Sequence, residues 1–176
     1  DLFMFSNANQ IEEKTSILSL LLLIFINYSF FIIFKSKIFF FIFGVLILLN
    51  FIFCIYRNFE NNKIIITIFL ILCLISLMSP VSDWDARSIW LFNAKIIFFE
   101  NSLNNYFSYN PYYSHPDYPI FVPILSSTLA TVIGDWNEIF PKFSSLILAL
   151  PPIIILTQNL KNKFSLYIFL ILILFV

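Results

Sequence analysis

Two carboxylates, Asp83 and Asp85, and two bases, Arg87 and Lys95, are gathered in "PVSDWDARSIWLFNAK", residues 80–95, directly after a long stretch of membrane-type sequence. A carboxylate can take the proton of an acceptor hydroxyl, and cations close by can hold a phosphate leaving group. A second cluster, "SHPDYPIFVP", residues 114–123, carries the only histidine, His115, together with Asp117. Its prolines impose extended or turn backbone on that segment and so fix His115 and Asp117 in place. His115 and Asp117 are compatible with a divalent metal, but one histidine without a second His or Cys is a weak metal signature. No residue is assigned to a metal, and no cofactor is identified beyond that open divalent-metal option.

The same residues have a purely structural explanation. Ser82 followed by Asp85 resembles a capping box with Asp in place of Glu. Asp83 is one turn from Arg87, a spacing that pairs opposite charges on a helix. Trp84 and Trp90 fit interfacial anchors. Residue chemistry alone leaves this structural explanation ahead. Other chemistries find less support. Gly44 and Gly134 are the only glycines, which excludes glycine-rich nucleotide-binding loops within this sequence, and nothing favours a hydrolytic triad.

The elements that must position these residues follow from composition. Sixty per cent of the chain is hydrophobic and 11% charged, and the mean hydropathy is +0.92. That charge content is far below the roughly 25% of a soluble domain, so the chain is expected to be a membrane protein. Ten acids balance ten bases, so no net field recruits nucleic acid. Cys54 and Cys73 both lie in apolar runs and fit small buried hydrophobes.

A spanning helix needs about 20 apolar residues. Residues 15–34, 38–56 and 64–79 fit. Weaker runs cover 120–133, 143–157 and 164–176, the first two interrupted by Pro123 and by Pro151 and Pro152. The expected fold is all-α: a polytopic transmembrane helical bundle of about six spans. It divides into N-terminal transmembrane helices (1–79), a loop carrying the motifs (80–119), and further transmembrane helices (120–176). The last run reaches Val176, so the chain is expected to be a piece of a longer protein. The first run is too long for a cleaved signal peptide and is followed at once by a second span.

Within the loop, an amphipathic interfacial helix is expected from about Asp83 to Glu100. Helical spacing sets Asp83, Arg87, Trp90 or Leu91, and Lys95 on one stripe, and Ile89, Phe92, Ile96 and Phe99 on another. The loop's tyrosines, Tyr106, Tyr109, Tyr112, Tyr113 and Tyr118, fit an interface belt better than sugar-stacking platforms. With six spans, the N-terminal side holds Lys14, Arg57, Lys63 and Lys142. The loop side holds Lys35, Lys37, Arg87, Lys95, Lys161 and Lys163. Without Arg87 and Lys95 the two sides are equal, so charge alone does not orient the chain.

Taken together, "DWDARSIWLFNAK" and "HPDYPIFVP" resemble the first extracytoplasmic loop of bacterial membrane glycosyltransferases of the GT-C type. That group includes relatives of the dolichyl-phosphate-mannose protein mannosyltransferases and of the lipid A aminoarabinose transferase. The resemblance covers residues 78–150. It implies a multi-pass protein of the bacterial inner (cytoplasmic) membrane that transfers a sugar from a polyprenyl-phosphate donor to a glycan, lipid or protein acceptor at the outer face. By position it implies Asp83 or Asp85 as the catalytic carboxylate and His115 near the lipid phosphate, with Arg87, Trp90, Lys95 and Asp117 as substrate-binding candidates. Two spans lie upstream of the helix that matches the family's first, which departs from the family pattern. The alternative is a non-enzymatic polytopic membrane protein, a transporter or assembly subunit. Pairing the two motifs moves the preference to the catalytic reading, and Asp83 leads because Asp85 has the cap available to it.

Overall fold

The computed structural model describes residues 2–34, 36–100, 114–115 and 117–159, with side chains described from Ile11 onward. The described chain is helical: α1 (Leu2–Phe34), α2 (Lys37–Phe59), α3 (Lys63–Met78), α4 (Phe92–Glu100), α5 (Phe121–Ile133) and α6 (Ile139–Asn159). A wider π-turn over Ala86–Leu91 leads into α4. Long apolar runs become helices because, away from water, only a helix pairs every backbone N–H and C=O within its own segment. The breaks fall where the sequence supplies a reason. Pro80 disfavours helical backbone at the residue before it, and Ser79 is extended (φ −73°, ψ 138°). Gly134 ends α5 in the left-handed region at φ 84°. Asn137 starts α6, its Oδ1 accepting the Ile139 and Phe140 amides at 3.0 and 2.8 Å.

Three helical segments are long and apolar enough to cross a membrane: Ile11–Phe34, Lys37–Phe59 and Ile139–Gln158. Their outward faces expose large apolar side chains such as Phe25, Ile33, Leu49, Ile52 and Leu156, as a bilayer-embedded surface does. The chain is a helical membrane protein. α3 is shorter, at 16 residues.

The described residues do not confirm the expected run of six spans. α5 has 13 residues, about 20 Å at 1.5 Å per residue against a hydrocarbon core of about 30 Å. It also runs across the α1–α2 hairpin. Phe121 at its start meets Tyr28 (ring centroids 5.5 Å), Thr128 is bonded to Asn27 (3.0 Å), and Val132 sits against Gly44. Asn27, Tyr28 and Gly44 lie at one height on the hairpin, because the chain turns back between Phe34 and Lys37. Beyond α5, Trp136 packs on Phe98, whose ring lies under the Lys37 ammonium at the hairpin turn. The chain therefore leaves α5 at the end of the bundle where it entered, and α6 starts beside the C-terminus of α3. Lys142 accordingly belongs with the loop, not with the N-terminus, in any charge count. The run at 164–176 lies outside the described residues.

A core of Ile17, Leu20, Ile24, Ile47, Phe51, Cys54, Phe69, Leu129 and Ile147 joins all the long helices. A satellite cluster of Phe31, Phe40, Ile97 and Ile124 seats α4 and α5 on the hairpin. At the opposite end of the bundle the buried Glu13 carboxylate accepts from Gln158 Nε2 (2.8 Å) and from Asn61 Nδ2, tying α1 to α6 and to the α2–α3 connection. Both cysteines are buried and free.

Candidate functional site

A helix does begin in the motif, at Trp84, but the capping box does not form. Asp85 is exposed and makes no side-chain cap bond. Asp83 and Arg87 form no ion pair; the salt bridges among the described residues are Arg57–Glu12, Lys63–Glu60 and the His115–Asp117 contact. Only the backbone links the two, through the Arg87 amide and the Asp83 carbonyl at 3.1 Å. The structural explanation thus loses both of its polar interactions.

The π-turn also changes the buried face. It holds more residues per turn than an α-helix, which advances everything after it. Ile89, Leu91, Asn93, Ala94, Ile97 and Phe98 are buried, whereas Phe99, expected on the apolar stripe, is 59% exposed. This face packs on α5 rather than lying bare on a membrane surface, and the π-turn ahead of α4 becomes one wall of a cavity.

That cavity, about 580 Å³, opens between the end of α3, the π-turn, α5 and the first turn of α6. Its volume falls within the roughly 300–1,000 Å³ usual for small-molecule sites. Asp83 and Trp90, two of the sequence candidates, line it. Asp85, Arg87, Lys95, His115 and Asp117 do not. Arg87 and Lys95 are exposed, so the expected stripe of Asp83, Arg87, Trp90 and Lys95 is divided between the cavity and the outside.

His115 is linked to the cavity indirectly. Trp90 packs against Tyr118 (6.1 Å) and Tyr118 stacks on His115 (4.7 Å), forming an aromatic row from the cavity wall to the second motif. His115 Nδ1 lies 3.9 Å from Asp117 Oδ1. Its backbone sits at φ 48°, a left-handed conformation that non-glycine residues rarely adopt and that histidine tolerates better than most. The buried Asn93 side chain holds this strand of chain by donating to the Ser114 carbonyl at 3.3 Å. No group of three or more His, Cys, Asp or Glu side chains comes together among the described residues. His115 and Asp117 therefore do not make a metal site by themselves. Tyr106, Tyr109, Tyr112 and Tyr113 lie outside the described residues.

Sequence reasoning missed Lys142 and the serines. Six serines line the cavity: Ser76, Ser79, Ser82, Ser126, Ser144 and Ser145. Several direct their hydroxyl hydrogen at a backbone carbonyl: Ser79 to Ile75 (2.7 Å), Ser144 to Pro141 (2.7 Å) and Ser145 to Lys142 (2.8 Å). What those oxygens have left are lone pairs. The Lys142 ammonium, on the same wall, donates to the carbonyls of Ser76, Leu77 and Ser79 at 3.0, 3.1 and 2.6 Å, which accounts for its three protons. The wall thus offers mainly acceptors, a carboxylate and an indole face. Such a lining suits a ligand rich in hydroxyl donors better than a fully ionised phosphate, which only accepts. The signal in the sequence was faint: a lone base one turn into an apolar run, and serines that helix periodicity alone does not direct.

Fold and site define a helical membrane protein with a hydroxyl-lined, carboxylate-bearing cavity at one end of its bundle. Comparison with family models, curated proteins and solved structures finds no match.

Proposed function

We propose that this chain belongs to a multi-pass glycosyltransferase of the bacterial cytoplasmic membrane that moves a sugar from a polyprenyl-phosphate donor to an acceptor hydroxyl, with Asp83 as general base. One observation carries the reading: Asp83 and Trp90 share a cavity whose wall presents hydrogen-bond acceptors, where the sequence resemblance expects an acidic residue. In the proposed reaction Asp83 takes the proton of the acceptor hydroxyl as its oxygen bonds to the anomeric carbon. The sugar–phosphate bond breaks, and polyprenyl phosphate leaves with the electron pair and inversion at carbon. In this reading the phosphate stays outside the cavity, where it meets Arg87, Lys95 and His115, while the ring occupies the serine-lined space.

The test is transfer of a labelled sugar from a polyprenyl-phosphate donor by the full-length protein. Asp83→Asn is expected to lower the rate by about 100- to 10,000-fold, the usual contribution of a positioned base, with membrane insertion unchanged. Full activity in both Asp83→Asn and Asp85→Asn overturns the reading. Solute transport with no lipid-linked sugar bound favours the transporter instead.

A further inference from the structure

The geometry points to Lys142 as the residue that positions Asp83, by clamping the C-terminus of α3. This inference rests on the proposed role of Asp83.

The last carbonyls of a helix have no partner inside it. In α3 the helix also stops abruptly, since Pro80 holds Ser79 in extended backbone. Those carbonyls are gathered by a single side chain from another helix: the Lys142 ammonium meets Ser76, Leu77 and Ser79. A cation is favoured there for a second reason, because the C-terminal end of a helix carries partial negative charge. The chain then crosses Pro80, Val81 and Ser82 without regular structure and reaches Asp83, all four residues lining the cavity.

Asp83 makes no side-chain hydrogen bond or ion pair among the described residues, so no described side chain or amide fixes the carboxylate. Its position is inherited from the two ends of the short segment. One end is the Arg87 amide bond to the Asp83 carbonyl. The other is Ser79, held by Lys142. Without the ammonium, three carbonyls lose their partner together, and the segment gains freedom at the point from which it departs. Lys142 is on α6, so the clamp also fixes the width of the cavity between α3 and α6.

The experiment combines hydrogen exchange with kinetics on the full-length protein in lipid nanodiscs, comparing Lys142→Met, Lys142→Gln and Lys142→Arg. In the Met variant, the amides of the last turn of α3, residues 76–79, are expected to exchange roughly tenfold faster or more, with α1 and α2 unchanged. Arg, which keeps charge and donors, is expected to restore slow exchange, and Gln to fall between. In the transfer assay the Met variant is expected to lose about 100-fold in kcat, as a displaced catalytic group does, with donor KM nearly unchanged and rescue by Arg. Unchanged exchange at 76–79 in both the Met and Gln variants overturns the clamp. Faster exchange with full kcat overturns the positioning role. If the unsubstituted protein transfers no sugar, the reading of Asp83 falls while the exchange data still decide the clamp.

Discussion

At the scale of single residues, the two aspartates of "DWDAR" separate by environment. Asp83 lines a serine-rich cavity together with Trp90, whereas Asp85 is exposed, does not line that cavity and makes no side-chain cap bond. Asp85→Asn is therefore expected to leave transfer within a fewfold of the unsubstituted rate, measured in the same assay in which Asp83→Asn fails. A general base must also be ionised to act, so transfer is expected to fall as the medium is made acid, and a rate independent of pH through the acid range would argue against a carboxylate base. The types and positions of these residues were legible in the sequence. The distinction between them was not, because a cap and an ion pair were equally compatible with the spacing, and only the geometry shows that neither forms.

At the scale of elements, α5 shows how local pattern and tertiary placement diverge. Its apolar residues read as a short span, and nothing in that run says that it lies across α1 and α2. The crossing is made by contacts between distant residues: Asn27 with Thr128, and the bare Gly44 with Val132 and the Thr128 carbonyl. A Cβ on Gly44 would sit 2.4 Å from Val132 Cγ2 and 3.0 Å from that carbonyl. Gly44→Ala is expected to cost about 1–3 kcal/mol, as overpacking does, read by unfolding in mixed detergent micelles. Thr128→Val removes an interhelical hydrogen bond and is expected to cost less, on the order of 0.6 kcal/mol and no more than about 1.7. The turn at Gly134 adds a topological consequence. A cysteine introduced by Asp135→Cys is expected to be labelled from the same side of the membrane as one introduced by Asp85→Cys. Labelling from opposite sides would restore α5 as a span.

At the scale of the whole molecule, α6 is fastened at both ends. Lys142 ties its first turn to α3, and Gln158 in its last turn donates to the buried Glu13, which also holds Asn61. Between these anchors Pro151 and Pro152 each lack an amide, so two carbonyls of the preceding turn lose their usual donor. There α6 is held by apolar packing through Ile147, Leu150 and Ile154. Glu13→Ala is expected to leave the Asn61 and Gln158 donors without their acceptor and to cost about 1–3 kcal/mol, read by thermal unfolding in nanodiscs, with the cavity end unchanged in hydrogen exchange.

The sequence by itself determined the environment, the helical class and where chemistry could occur. Hydropathy fixes which segments avoid water, proline and glycine fix where helices stop, and scarce charges mark where polar groups are needed. All of these are properties of a residue and its near neighbours. The tertiary structure alone decided which side chains share a space. Packing left Arg87 and Lys95 outside the cavity that Asp83 lines. The transverse α5 brought Ser126 to Ser144 at 2.7 Å. The return of α6 set Lys142 on the carbonyls of α3, residues more than sixty positions away in the chain. These depend on how helices cross, and crossing is settled by packing between distant faces.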